Sequence, residues 1–253
     1  MRRKRIVFII LLFSAAAASM ANAMYCSGKV ISKMEDYSDS EEYYEDLADS
    51  FWGKPGHDED KEMLISNKSV SPKFCFGAAG WLYIPDTPID YPVAQESGRA
   101  GYYLDHRLDG SYSSAGCLYI PAGDDAGADN VIIYGHNMRN GSMFAGLKRY
   151  REEGWARQHR TIYLLAGNEW RRYDVIAVLI QSADKRSFRW DDYICFMSDS
   201  ECADYGMSAM EQSVVRMNSG VTILSGDERY LTLVTCDYTV TNGRLTVIAV
   251  LCD

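Results

Sequence analysis

The sequence predicts a mainly β protein, a closed or nearly closed eight-stranded barrel with N-terminal helices and a further helix before the last strands. From Gly80 onward, short apolar or alternating runs are separated by Pro, Gly and Asp, as in strands joined by turns. Two C-terminal runs, 230–236 and 244–251, are almost continuously apolar, which is typical of strands buried on both faces. Closure is favoured because it removes exposed sheet edges.

Length, composition and charge narrow the class of protein. The 253 residues are 47% hydrophobic and 24% charged, a balance that can bury one core. We expect a signal peptide or anchor over 1–24, an acidic stalk with helices over 25–73, and the barrel domain over 74–253. The net charge of -9 argues against nucleic acid as a partner, because phosphate contacts need clustered Lys and Arg.

The N-terminal residues predict an export signal. A basic cluster at residues 2–5 precedes an uncharged, mostly apolar run over 6–20. A small-residue site at 21–23 favours a cleaved signal peptide, whereas the uncharged run to residue 24 is just long enough for an uncleaved anchor. The basic flank stays cytoplasmic in both cases. We therefore expect a single-pass cell-membrane protein with an extracellular domain.

The stalk and the barrel follow in order. Residues 34–62 are acidic, and helical spacing there predicts a helix, with a short second helix and a linker over 66–73. Helices are also predicted over 142–150 and for most of 191–218. Strands are expected at 81–84, 90–94, 115–120, 130–134, 161–166, 173–181, 222–224, 230–236 and 244–251.

Three residues lie at strand ends where a catalytic role is favoured. His136 follows the apolar run 130–134, so it lies at the rim of the barrel, unlike the other histidines, His57, His106 and His159. Cys236 ends another apolar run, and Arg244 opens the next one after a short loop. A hairpin would bring Cys236 and Arg244 close together, and a cation opening an apolar strand needs a site or a partner.

The cysteine content favours a free thiol. The number is odd, and the chain is too large to need a disulfide framework. No Cys or His cluster has zinc spacing, so neither a metal nor a cofactor is expected. We expect the cysteines other than Cys236 to be dispensable for turnover, namely Cys26, Cys75, Cys117, Cys195, Cys202 and Cys252.

Several motifs resemble one family. Residues 134–144, YGHNMRNGSMF, resemble the histidine motif of class B sortases, and TLVTC at 232–236 resembles the cysteine signature of sortases. Arg244 falls where the sortase arginine is expected. Residues 80–93 and 102–106 also resemble the class B pattern, and the likeness spans roughly residues 40–252 in the right order.

The resemblance implies a membrane-tethered cysteine transpeptidase of a Gram-positive bacterium. Such an enzyme cleaves the C-terminal sorting signal of a surface protein through a thioacyl intermediate. It passes the acyl group to an amine of a cell-wall peptidoglycan precursor or of a pilin. Cys236 would be the nucleophile, His136 the acid and base, and Arg244 the stabiliser of the oxyanion.

The same resemblance suggests the peptide groove. Leu104, Tyr134 and Thr235 are the predicted substrate-binding residues, and the segment 187–218, where class B members carry an extra helix, is the other wall. Many class B members have Ser where this chain has Val234, and Asn where it has Ala100. The sorting motif is therefore left open.

Two other functions compete with this interpretation. A secreted cysteine hydrolase would use the same site, and an added amine acceptor would then fail to divert product to ligation. A non-catalytic peptide-binding barrel would keep Cys236 as a buried structural thiol without selective reactivity. A thiol redox protein is disfavoured because no C-x-x-C motif is present.

Overall fold

The N-terminal part of the chain is helical. The computed structural model describes residues 2–53, 58–67, 77–184, 187–217 and 226–252, with side chains from residue 16 onward. Helix α1 (Arg2–Trp52) is followed by the short helix α2 (Asp58–Ser66). The two predicted N-terminal helices are therefore present, and the first is longer than its sequence pattern indicated.

The predicted single-pass membrane location is wrong by this structure. Within the described ranges, no helix is both long and apolar enough to cross a bilayer. The described part of the proposed anchor, residues 16–24, is mainly alanine, which is less apolar than the leucines and isoleucines before it. Residues 6–15 of that run lie outside the described side chains.

In the described part of the chain, eight strands close into a barrel in the order β1-β2-β3-β4-β7-β8-β6-β5. Most pairs are antiparallel, while β2–β3 and β4–β7 are parallel. The predicted fold class is confirmed, and a hairpin about residues 167–168 joins β5 to β6. The strands are β1 (Ala78–Tyr83), β2 (Asp90–Gln95), β3 (Leu118–Ile120), β4 (Asn130–Tyr134), β5 (Thr161–Ala166), β6 (Glu169–Ser182), β7 (Tyr230–Asp237) and β8 (Gly243–Cys252).

The remaining helical pieces sit in the connections. The helix predicted over 142–150 is a 3-10 helix, Phe144–Arg151, followed by α3 (Glu153–Gln158). The helix predicted before the last strands is α4 (Asp199–Glu211), whose N-cap Ser198 accepts a hydrogen bond from the Glu201 N–H. Two further 3-10 turns are Tyr102–Leu104 and Trp190–Asp192. The strand predicted at 222–224 lies outside the described residues.

Both faces of the central strands are buried, which explains their almost continuous apolar sequence. Leu231 and Leu233 of β7 belong to the core inside the barrel. Val234, pointing the opposite way, packs in an outer cluster with Trp190 and with Tyr205 of α4. Alternating side chains of one strand therefore serve two separate cores.

The N-terminal helices are fastened to the barrel through one carboxylate. Asp90 accepts hydrogen bonds from Trp52 Nε1 at 3.0 Å and from Trp81 Nε1 at 2.6 Å. Lys61 Nζ lies 2.8 Å from the same carboxylate. This group therefore joins α1, α2, β1 and β2 at a single point.

We expect Asp90→Ala to lower the free energy of unfolding by about 3 kcal/mol, because it leaves two indole N–H groups without their acceptor. Urea unfolding followed by tryptophan fluorescence measures the change. Glu42→Ala removes an exposed carboxylate from α1 and should change stability by less than about 0.5 kcal/mol. An equal loss in both variants would contradict this role of Asp90.

Candidate active site

The ends of two parallel strands place His136 beside Cys236. The last paired residues of β4 and β7 are Tyr134 and Val234. His136 and Cys236 therefore each lie two residues beyond this last pair. The hydrogen bonding between the two chain segments continues past this last pair, because the Gly135 N–H donates to the Val234 carbonyl at 3.2 Å. The sequence placed both residues at strand ends on the rim of the barrel, and the structure makes those two strands parallel neighbours.

Asn137 extends this junction by one more hydrogen bond. Its side-chain Nδ2 donates to the carbonyl of Cys236 at 2.8 Å. Gly135 is required here for space, because a Cβ would lie 2.4 Å from Leu118 Cδ2 and 2.7 Å from Phe144 Cδ2. The backbone on both sides of His136 is therefore fixed.

Arg244 lies directly opposite Cys236 across the β7–β8 hairpin. Its Nη1 donates to the carbonyl of Gly243 at 2.9 Å and contacts Asn242 at 3.3 to 3.4 Å. Within the described residues, all of its hydrogen bonds use this one nitrogen. The rest of the guanidinium can therefore donate to a bound group.

His136 has a partner that sequence reasoning could not find. Its Nε2 lies 2.8 Å from the backbone carbonyl oxygen of Leu104. Because a carbonyl oxygen only accepts, this contact keeps a proton on Nε2 and leaves Nδ1 as the nitrogen that exchanges protons. The sequence offered no Asp or Asn for this role, and a backbone acceptor has no residue signature.

Gly116 and Tyr44 of α1 help to hold the Leu104 carbonyl in place. A Cβ on Gly116 would lie 2.3 Å from the Tyr103 oxygen and 2.8 Å from the Leu104 oxygen, and its φ is +63°. The hydroxyl of Tyr44 on α1 donates to the Gly116 carbonyl at 2.6 Å. Helix α1 is thus connected to His136 through the segment 102–117.

The three predicted substrate-binding residues differ in exposure. The Leu104 side chain is 40% exposed, and Tyr134 is half-buried, with its hydroxyl accepting from Trp190 Nε1 at 3.2 Å. Thr235 is only 2% exposed, and its hydroxyl donates to the Gly135 carbonyl at 2.8 Å. Leu104 and Tyr134 therefore reach the surface close to His136, whereas Thr235 ties β7 to the chain before His136.

The chain after β6 forms a wall next to Arg244. Gln181, paired with Arg244, donates through Nε2 to the Phe188 carbonyl at 2.6 Å and accepts from its N–H at 3.3 Å. Both main-chain polar groups of Phe188 are satisfied by this one side chain. The predicted second wall, over its described residues 187–217, is consequently anchored beside the strand that carries Arg244.

Asp237 follows Cys236 and has a structural role. Its side chain is fully buried and forms an ion pair with Arg151 at the end of the 3-10 helix Phe144–Arg151. It also accepts hydrogen bonds from the N–H and hydroxyl of Thr239 in the β7–β8 turn. These contacts hold the end of β7 in place.

Burial makes two other thiols poor nucleophiles. It raises the pKa of Cys117 to about 12 and that of Cys202 to about 11. A thiol reacts as its thiolate, so both remain protonated and slow near pH 8, and Cys202 becomes reactive only as the pH approaches its pKa. Cys26 and Cys195 are exposed, and Cys75 lies outside the described residues.

We expect iodoacetamide at pH 8 to modify Cys236, Cys26 and Cys195 before Cys117 or Cys202, as measured by peptide mass spectrometry over time. Loss of turnover should follow the modification of Cys236 alone. Inactivation that tracks modification of Cys195, in a protein with intact Cys236, would contradict the assignment.

A closed mixed β-barrel with cysteine, histidine and arginine at its rim defines a cysteine transpeptidase. The Sortase domain family model matches residues 82–252, and the chain belongs to this family as a class B sortase.

Three relatives illustrate the likeness. Sortase B of Listeria monocytogenes is 31% identical over 77% of this chain and 74% of its own length. The structure of a Staphylococcus aureus sortase B–substrate complex is 21% identical, with a TM-score of 0.69, over 87% of this chain and 99% of that chain. A sortase B complexed with triglycine is 19% identical, with a TM-score of 0.69, over 85% and 98% of the two chains.

We expect Gly116→Ala to lower kcat by about tenfold, because the added methyl displaces the Leu104 carbonyl that orients His136. KM for the peptide should change less, because the carbonyl acts on the imidazole and not on the bound peptide. Gly154→Ala on α3, where a Cβ meets nothing within 4 Å, is the matched control. Equal kcat values in the two variants would contradict the role of the carbonyl.

Proposed function

We propose that this sortase cleaves the C-terminal sorting signal of a surface protein and joins the new carboxyl end to an amine, with Cys236, His136 and Arg244 as its catalytic residues. The observation that carries the proposal is the position of Cys236, which faces Arg244 across one hairpin and His136 across one strand end. The catalytic domain comprises residues 74–253, preceded by the acidic helical segment 25–73.

The first half-reaction forms a thioester. The Cys236 thiolate attacks the peptide carbonyl carbon, a C–S bond forms, and the oxygen takes the negative charge. Arg244 donates to this oxyanion through the guanidinium nitrogens not used by the turn. The C–N bond then breaks while the imidazolium of His136 passes a proton from Nδ1 to the leaving amine.

The second half-reaction reverses these roles. A neutral amine attacks the thioester carbonyl, and His136 Nδ1 takes up the proton that the nitrogen loses. The C–S bond breaks, Cys236 leaves as a thiolate, and a new amide is released. His136 therefore acts first as acid and then as base, and the Leu104 carbonyl keeps the ring in one orientation throughout.

Contacts beside the nucleophile support the binding of a peptide. Leu104 lies next to His136, and Tyr134 contacts Trp190 of the segment 187–217. We assign Leu104 and Tyr134 to the groove and Thr235 to positioning, since its side chain is buried. Relatives solved with a substrate and with triglycine bind a peptide and an amine-bearing peptide, which favours both partners here.

A library of sorting peptides with an added amine tests this function. The domain should convert a subset of peptides into products in which the amine has replaced the fragment after the cleaved bond, as read by mass spectrometry. A hydrolase would release only the free carboxylic acid at every amine concentration. A peptide-binding barrel would release neither product, so each alternative has its own outcome.

A further inference from the structure

The main-chain pairing of β4 with β7 stops one hydrogen bond short of the proposed nucleophile. In a parallel pair, the bonds towards one neighbouring strand come from alternate residues at even spacing. The Gly135 N–H donates to the Val234 carbonyl at 3.2 Å. The next bond in this series would join the N–H of residue 137 to the carbonyl of Cys236. The structure keeps this acceptor but supplies a different donor.

The side chain of Asn137 provides that donor. Its Nδ2 donates to the Cys236 carbonyl at 2.8 Å, and the residue is only 6% exposed. A buried amide that loses its partner pays the full cost of its lost hydration, so this bond is strongly favoured over an unpaired arrangement. The bond therefore links the residue that follows His136 to the peptide group of the nucleophile itself.

The main chain of this segment is committed to a different pairing. The Phe144 N–H donates to the His136 carbonyl at 2.8 Å, and Asn137 forms an antiparallel bridge with Met143. The Met143 N–H in turn donates to the Tyr91 hydroxyl at 3.2 Å. The chain thus turns away from β7 at His136, and a side chain continues the hydrogen bonding that the main chain has left.

An asparagine suits this position because of the atom that it presents. Its amide nitrogen is a donor, which the Cys236 carbonyl requires, since a carbonyl oxygen only accepts. A carboxylate of the same shape also only accepts when ionised and would place two oxygens against each other. The arrangement therefore depends on one N–H group and not on the volume of the side chain alone.

We propose that Asn137 is a positioning residue, which holds the end of β7 against the segment that carries His136 and so sets the approach of the imidazole to the Cys236 thiol. This inference rests on the proposed function and adds a residue to its machinery. The Leu104 carbonyl orients the imidazole ring, whereas Asn137 fixes the two chain segments relative to each other. A displacement of about 1 Å between reacting groups can lower a rate by about 10²-fold.

Two substitutions at one position and a matched control test the proposal in the full chain. Asn137→Ala removes the donor, and Asn137→Asp keeps the shape of the side chain but replaces the donor with an oxygen. Asn140→Ala removes an exposed asparagine from the same loop, where its side chain accepts a hydrogen bond from the Ser142 hydroxyl. Steady-state cleavage of one sorting peptide gives kcat and KM for each protein.

We expect Asn137→Ala and Asn137→Asp each to lower kcat by about 10- to 100-fold, with KM for the peptide changed by less than about threefold. The loss falls on kcat because the bond acts on the nucleophile and the imidazole and not on the bound peptide. Asn140→Ala should keep kcat within about twofold of the unaltered chain. Circular dichroism verifies that each variant is folded.

A kcat in both Asn137 variants equal to that of Asn140→Ala would overturn the proposal. A loss carried by KM alone would overturn it as well, because it would assign Asn137 to the binding of the peptide.

A second measurement does not depend on turnover. Modification of Cys236 by iodoacetamide, followed by peptide mass spectrometry, should slow by about threefold or more in Asn137→Ala, because a thiolate is favoured while an imidazolium lies beside it. The rate should be unchanged in Asn140→Ala. If the unaltered chain cleaves no peptide, the proposed function has failed, yet slower modification in Asn137→Ala alone would still support this positioning. Equal rates of modification in the two variants would overturn it.

Discussion

Cys236→Ala is expected to abolish both peptide cleavage and transfer, with a fall in kcat of at least about 10⁴-fold. The methyl group cannot form the thioester, and the neighbouring groups have no other nucleophile to activate. A mass-spectrometric assay of the sorting peptide with an amine measures the loss. The variant should remain folded, because the side chain lies half-exposed at the end of β7.

A second cysteine provides the control. Cys195→Ala removes an exposed free thiol and should leave kcat within about twofold of the unaltered chain. Incubation with peptide alone should trap a covalent adduct whose mass is lost in the Cys236→Ala variant. Peptide cleavage by the Cys236→Ala variant would contradict a thioacyl intermediate.

Arg244→Gln is expected to lower kcat by about 10²–10³-fold, with a smaller change in KM for the peptide. The loss arises because the charged donor acts mainly on the oxygen that becomes negative in the transition state. Steady-state kinetics with increasing peptide concentration separate the two parameters. The substitution keeps a hydrogen-bonding side chain of intermediate length opposite Cys236.

Arg244→Lys distinguishes charge from geometry. It keeps the cation but loses the planar fork, so its kcat should fall between those of the glutamine variant and the unaltered chain. Arg189→Lys, in the wall segment and paired with Asp192, is the matched control. A rise in KM alone in Arg244→Gln would mean that the arginine binds the ground state and does not stabilise the oxyanion.

Much of the site could be predicted because strand ends are visible in the sequence. The runs 130–134 and 230–236 stop where polar residues begin, and the structure pairs them as neighbouring parallel strands. The hairpin prediction brought Cys236 and Arg244 close together, and in the structure they are paired directly. Alternation and turn residues are local properties, so a single sequence is sufficient to reveal them.

Other parts of the site depend on contacts that residue types do not encode. The acceptor for His136 is a backbone carbonyl, and the ion pair between Asp237 and Arg151 joins segments far apart in the chain. Strand β3 begins later than predicted, at Leu118, because Gly116 has a positive φ. Thr235 matched a family motif, but its position in the strand turns its hydroxyl towards Gly135 and away from solvent.

The link from Tyr44 through Gly116 to Leu104 changes what counts as the minimal enzyme. A protein shortened to the residues that the family model spans, 82–252, would keep the cysteine, the histidine and the arginine. It would lack the Tyr44 hydroxyl, which binds Gly116 and so helps to fix the Leu104 carbonyl that contacts the His136 imidazole. Such a fragment would hold its reactive groups in a looser arrangement, and adding back the missing helix as a separate peptide should tighten it.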